Sequence, residues 1–149
     1  MTVTDRAKPP GPRVRIGERV RRFLETPRMA VVASLNPDGS PLQAVAWYLV
    51  RDDTMVINSR VGRIWPSNLV RDRRVNIAVH DEYEWVGLAG TVDVVEDGDQ
   101  ALADIAEMAR RYHADRPEHA EDLIERTFRP QRRISFILRP TAVYEHLED

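Results

Sequence analysis

Cysteine is absent from the 149 residues. Disulfides, cysteine-ligated zinc, iron–sulfur clusters and thiol nucleophiles are therefore excluded. Lysine is nearly absent too: of 22 basic residues all but Lys8 are arginine, and 24 acidic residues leave a net charge of −2. A balance this close to neutral, with a pI of about 6.1, argues against a dedicated nucleic-acid binder, which carries a clear basic excess. Only seven glycines occur, and neither a G-x-G-x-x-G run nor a Walker loop is present, so the common phosphate-cradling loops are missing. There is no H-E-x-x-H and no G-x-S-x-G elbow. His80, His113, His119 and His146 show no ligand spacing beyond the pair His113 and His119, which lies in a polar helix connection, and no metal site is expected. No apolar run approaches the roughly 20 residues that span a bilayer. The opening "MTVTDRAKPPGPRVR" lacks the apolar stretch of a secretory signal, so a cytoplasmic protein is expected.

What is present reads as one domain. A chain with 42% hydrophobic and 31% charged residues has the make-up of a globular protein able to bury a core without staples. Residues 1–15, rich in proline and polar groups, are expected to form a mobile tail, and residues 16–149 the domain. Ile16, Val20, Phe23 and Leu24 recur at helical spacing and predict a short amphipathic helix ending before Pro27. The period then shifts. Apolar runs at 29–35, 42–50 and 54–59, separated by "NPDGSP" and "RDD", predict three strands in an antiparallel meander. A short helix over 64–72 carries Pro66 in its first turn. Alternating Val75, Ile77 and Val79 predict a strand over 73–81. A long strand follows over 83–97, with Gly87 and Gly90 marking a bulge or bend. Asp97 or Asp99 is placed to cap a helix whose stripe is Ala101, Leu102, Ile105, Met108, Ala109 and Tyr112. A shorter helix over 118–128 and a last strand over 132–140 complete the chain. The class is mainly β with flanking helices, and six short strands favour a closed or nearly closed barrel, because closure removes exposed edges.

With metal, thiol and serine-triad chemistry excluded, arginine and aromatic surface remain. They suit a ligand that brings its own chemistry: a cofactor carries hydride transfer, while the protein supplies position and electrostatics. Arg60, Arg63, Arg71, Arg73 and Arg74 crowd the stretch "NSRVGRIWPSNLVRDRRV". Arg60 and Arg63 fall at a strand end before a helix N-terminus, a place that favours anions. The other three read as surface with at most long-range attraction. Trp47 and Tyr48 sit on a strand apolar on both faces and read as packing.

Four motifs in register carry a resemblance to a known family. "MAVVASLNPDGSPLQAVAWYLV" resembles a first hairpin with a "dGsP" turn. "GRIWPSNLVRDRRV" is similar to a "GRxxxxNLRRDPRV" signature, "GLAGTVDVVED" to a strand leading into a helix, and "RISFILRPTAVY" to a closing strand. Together they resemble the flavin- and deazaflavin-binding split barrels related to pyridoxamine 5'-phosphate oxidase, nearest to the actinobacterial branch that uses coenzyme F420. The resemblance covers residues 22–147. It implies a six-stranded antiparallel split β-barrel that forms a homodimer, with cofactor sites in grooves between protomers. The backbone of Gln43, Ala44, Val45 and Ala46 would flank the tricyclic ring. Asn58, Ser59 and Arg60 would meet the ribityl chain and phosphate, and Arg63 would grip phosphate. Asn68 would cap or brace the short helix. Tyr83 and Trp85 would come from the partner protomer. Two positions depart from the pattern: Trp65 stands where many members have lysine, and Arg73 where proline is usual.

The implied activity is that of an oxidoreductase in which reduced F420 passes hydride to an unsaturated or oxidised small organic substrate. Solvent, Tyr48 or Tyr83 would supply the proton. The alternatives are an FMN-dependent enzyme of the same fold, a cofactor carrier, a haem-binding split barrel with His80 as axial ligand, and an arginine-rich RNA binder.

Overall fold

The computed structural model describes residues 12–149. Of the expected tail, residues 1–11 lie outside the described residues; further on, Val14 N–H donates to Pro140 O at 2.9 Å. The order is α1 (Glu18–Glu25), β1 (Ala30–Leu35), β2 (Pro41–Ala46), β3 (Tyr48–Arg51), β4 (Thr54–Arg60), α2 (Ile64–Arg71), β5 (Arg74–Asp81), β6 (Glu84–Val95), α3 (Gly98–Tyr112), α4 (Pro117–Leu123), a π-helical segment (Ile124–Phe128) and β7 (Arg133–His146).

The sheet runs β2-β1-β5-β6-β7-β4-β3, and all its pairs are antiparallel. Its two outer strands, β2 and β3, are neighbours in sequence with only Trp47 between them. The chain itself therefore joins the sheet's two edges, which do not pair with each other, and Trp47 marks the split. This explains why seven strands appear where the apolar pattern predicts six: residues 42–50 form two strands that pair with different partners. β7 also runs six residues past the expected end at Pro140, because Ala142 to His146 continue the ladder with β6. The bulge expected near Gly90 is present, between Ala89 and Gly90. A Cβ at Gly90 would collide with Arg139 O and crowd Leu138 and Pro140.

Strand alternation fills the barrel. Met55 and Ile57 of β4 face Leu138 and Phe136 of β7, and all four are fully buried. Burying a side chain of this size contributes about 1.5–3 kcal/mol. Val20 and Leu24 of α1, with Trp65 and Leu69 of α2, join the same core. The opposite faces of β4 and β7 are covered by α3, whose Ile105 and Met108 pack on Val56 and Ile137. Asp97 caps α3 by accepting from the N–H groups of Asp99 and Gln100.

The outer face of the other strands is different. Val45, Val31, Ala78, Gly87 and Tyr144 line up across β2, β1, β5, β6 and β7, and Gln43, Ala33, Asn76, Ala89 and Ala142 form the next row. His80, Trp85 and His146 form a third. In a chain that is 31% charged, these rows hold no acidic residue, lysine or arginine. Val45 is 61% exposed and Tyr144 56%.

Candidate functional site

β4 ends where both of its faces become polar. Ser59 continues the inward row of Met55 and Ile57, opposite Ile134, while Asn58 continues the outward row, opposite Ser135. Gly62, with φ of 102°, then turns the chain into α2, a conformation that favours glycine. Arg63 stands at the N-cap position, and its carbonyl accepts from Ser67 Oγ at 2.9 Å.

Beside this turn lies a cavity of about 230 Å³. Trp47, Trp65, Ile105 and Phe128 give it apolar walls, and Met29 and Val45 stand at its rim. Trp47 is held by Tyr112, stacked at 5.0 Å and 15°, and by the edge of Phe128 at 6.2 Å. Trp65 is 7% exposed and belongs to the barrel core, its ring 5.9 Å from that of Phe136. It therefore serves as both core and cavity wall.

The polar end consists of Asn58, Ser59, Arg63, Thr127, Gln131 and Arg133. Ser59 Oγ is buried and has no hydrogen-bond partner among the described residues. Such a group costs about 1–3 kcal/mol unless a ligand or water completes it. Arg133 lies directly opposite Arg60 in the β4–β7 ladder, a like-charge pairing that disfavours the strand pair. None of the ion pairs among the described residues involves Arg60, Arg63 or Arg133. Burial, then the fields of Arg63 and Arg60, push the Arg133 guanidinium down to about 10. It remains a cation at neutral pH, but an uncompensated one. Two guanidinium groups, Arg63 and Arg133, and an orphaned hydroxyl at the end of an aromatic-walled cavity, with Arg60 outside it across the ladder, suit an anion joined to a flat ring.

The sequence model of pyridoxamine 5'-phosphate oxidase matches residues 16–146. The chain belongs to the pyridoxamine 5'-phosphate oxidase family. No curated protein matches it. Among solved structures, it is similar to the conserved hypothetical protein Rv2991 of Mycobacterium tuberculosis, at 18% identity and a TM-score of 0.73, over 92% of this chain and 93% of that one. A protein named F420 reductase matches at 19% identity and a TM-score of 0.60, over 83% and 94%. The haem storage protein HutZ of Vibrio cholerae matches at 17% and 0.65, over 89% and 95%. At these identities the likeness is one of fold, and the fold occurs in proteins named for F420 reduction and for haem storage.

Within this family member, Val45, Ala46, Asn58, Ser59, Arg63 and Trp65 line the cavity together. Gln43 lies on the exposed outer face of β2, and Ala44 packs against the core. Arg60 is exposed, across the ladder from Arg133. Asn68 braces α2: its Nδ2 donates to Ser34 Oγ at 3.1 Å and to Asn36 Oδ1 at 3.0 Å. Tyr83 and Trp85 lie away from this chain's cavity, 84% and 42% exposed, and Trp85 stacks on His146. Tyr48 does not line the cavity. Its hydroxyl donates to Leu24 O at 2.9 Å or Thr26 O at 3.1 Å, and burial pushes its pKa up.

The sequence does not mark Arg133, Phe128, Thr127, Gln131 or Ile105 as residues of this site, and Trp47 reads there as packing alone. Arg133 had a signal: it shares parity with Ser135 and Ile137, opposite the core face of β7. Such a face reads as solvent unless a helix is known to lie over it. Phe128 and Thr127 reach the cavity from a π-helical turn, which the helical period does not reveal.

Proposed function

We propose that this protein is a cytoplasmic, homodimeric oxidoreductase that binds the deazaflavin coenzyme F420 in the cavity beside Trp47 and Trp65. The supporting observation is the polar end: a buried, unpartnered Ser59 hydroxyl among Arg60, Arg63 and Arg133, none with an acidic partner among the described residues. The cofactor's phosphate would sit there, with Ser59 and Arg63 as donors and Arg60 flanking. The backbone of Gln43, Ala44, Val45 and Ala46 would border the ring. When bound, the reduced coenzyme supplies a hydride to an unsaturated or oxidised small organic substrate. The chain's part is to orient the ring against its aromatic wall, neutralise the phosphate and keep water from the apolar side. Among the described residues no tyrosine, histidine or carboxylate lines the cavity. Water is therefore the proton source we favour, with the partner's Tyr83 as the alternative.

The uncharged outer rows support the second half of the proposal. An exposed patch of this kind marks an interface, and a second copy of the chain is the commonest occupant of a self-complementary face. Val45 belongs to that face and to the cavity rim, so a partner seated there would bring its Tyr83 and Trp85 toward the site. His80, the candidate haem ligand, lies on this outer face and not in the cavity.

Titration of the protein with F420 and with FMN, followed by tryptophan fluorescence, tests the reading. Saturable quenching by F420 at the lower concentration supports it. Tighter FMN binding would make this an FMN enzyme of the same fold. Binding without turnover against a panel of acceptors would make it a carrier, and a Soret band with haem would make it a haem protein.

A further inference from the structure

Arg133 and its surroundings carry a further inference, which rests on the cavity being the seat of a phosphate-bearing cofactor. The residue is 7% exposed, and no carboxylate holds it. A chain of dipoles does. Arg133 Nε donates to Asn58 Oδ1 at 3.0 Å. Asn58 Nδ2 donates to Ser135 Oγ at 2.8 Å and to Ala101 O at 2.8 Å. Ser135 Oγ donates to Asp104 Oδ2 at 2.7 Å. Asp104, 1% exposed, accepts on its other oxygen from Gln100 Nε2 at 2.8 Å and from Arg51 Nη1 at 2.8 Å.

The direction of every bond in this chain follows from the charge at its end. An ionised carboxylate only accepts, so the Ser135 hydroxyl hydrogen points at Asp104. Only lone pairs of Ser135 then face Asn58. The Asn58 amide must turn its NH2 toward Ser135 and Ala101, and its oxygen toward Arg133. That oxygen fixes Nε, while Gln131 Oε1 takes Nη1 at 2.7 Å. The second terminal nitrogen, Nη2, has no hydrogen bond among the described residues.

We propose that Arg133 is the buried anion-binding group of the cavity, and that Asp104 is its positioning residue, acting through Ser135 and Asn58 without touching the ligand. An amide at position 104 presents donors toward either Ser135 or the pair Arg51 and Gln100. Either way the chain loses its single direction, and the guanidinium loses its fixed aim. Charged hydrogen bonds of this kind depend on aim as much as on charge.

Three probes test the assignment on the full chain: inorganic pyrophosphate, F420, and the same deazaflavin cut back to its phosphate-free ribityl alcohol. The variants are Arg133→Gln, Asp104→Asn and Ser135→Ala. The first two probes should bind each variant about tenfold more weakly or worse, the loss expected when a hydrogen bond to a charged group is misplaced. Affinity for the phosphate-free compound should stay within about twofold. Equal losses on F420 and its phosphate-free form would overturn the inference, because they mean that the chain only supports the cavity. Unchanged pyrophosphate binding in Asp104→Asn and Ser135→Ala would overturn it too, as would failure of pyrophosphate to bind the wild type. If neither deazaflavin binds the wild type but pyrophosphate does, and is lost in the variants, the cofactor reading fails while the anion site and its positioning residue stand. Should Asp104→Asn not fold, Ser135→Ala removes one hydroxyl and carries the same prediction.

Discussion

The hydroxyl of Tyr112 accepts the backbone N–H of Tyr48 at 3.2 Å. It also donates to Arg28 O at 2.5 Å, so the last residue of α3 joins the start of β3 to the segment entering β1. These are the two sides of the split at Trp47. Arg111 adds a bond from Nη1 to Tyr48 O at 2.9 Å, so side chains take up both backbone groups of Tyr48 at the edge of β3, where no strand pairs with it.

This clasp has a pH signature. Burial pushes the Tyr112 phenol up to about 12, against an ordinary 10.0, and raises Tyr48 as well. Between those values the unfolded chain loses the proton and the folded one keeps it, so stability falls as pH rises above 10 and is unaffected below it. Urea unfolding at pH 9 and pH 11 should show this loss, and Tyr112→Phe should make it smaller. The same variant should cost about 1 kcal/mol at neutral pH. An equal pH dependence in both proteins would show that Tyr112 is not buried as described.

Ser59→Ala should separate stability from binding. Removing a buried hydroxyl without a partner should leave the free protein unchanged or up to about 1 kcal/mol more stable. F420 should nonetheless bind more weakly. A stability loss on this substitution, read from the urea midpoint, would mean that the hydroxyl has a partner in the free protein.

Trp65→Ala should cost about 3–5 kcal/mol, as expected for emptying a packed aromatic site. A loss below about 1 kcal/mol, the range of surface changes, would place the indole outside the core.

Much of the architecture is legible in the sequence. The alternation of Val75, Ile77 and Val79 and the stripe from Ala101 to Tyr112 each lead to the element observed, and the "NSR" strand end and "GR" turn lead to the polar end of the cavity. The split at Trp47 is not legible, because residues 42–50 are apolar on both faces and a change of pairing partner leaves no mark in hydropathy. Arg133 escapes for a related reason. Its burial depends on α3 crossing over β7, a contact between segments some thirty residues apart (Ser135 to Asp104).

Ala78→Arg places a charge at the centre of the uncharged rows, on an exposed residue whose replacement should change protomer stability by less than about 0.5 kcal/mol. Sedimentation should show the wild type as a dimer and the variant as a monomer. A dimeric variant would move the interface elsewhere.

The most direct test of the account is an F420 titration read by tryptophan fluorescence in the wild type and in Arg63→Gln. Trp47 and Trp65 line the cavity, so ligand entry reports itself. The account predicts saturable quenching in the wild type, at one coenzyme per protomer, and about tenfold weaker binding in the variant. Quenching that is absent, or that is equally strong in Arg63→Gln, would contradict it.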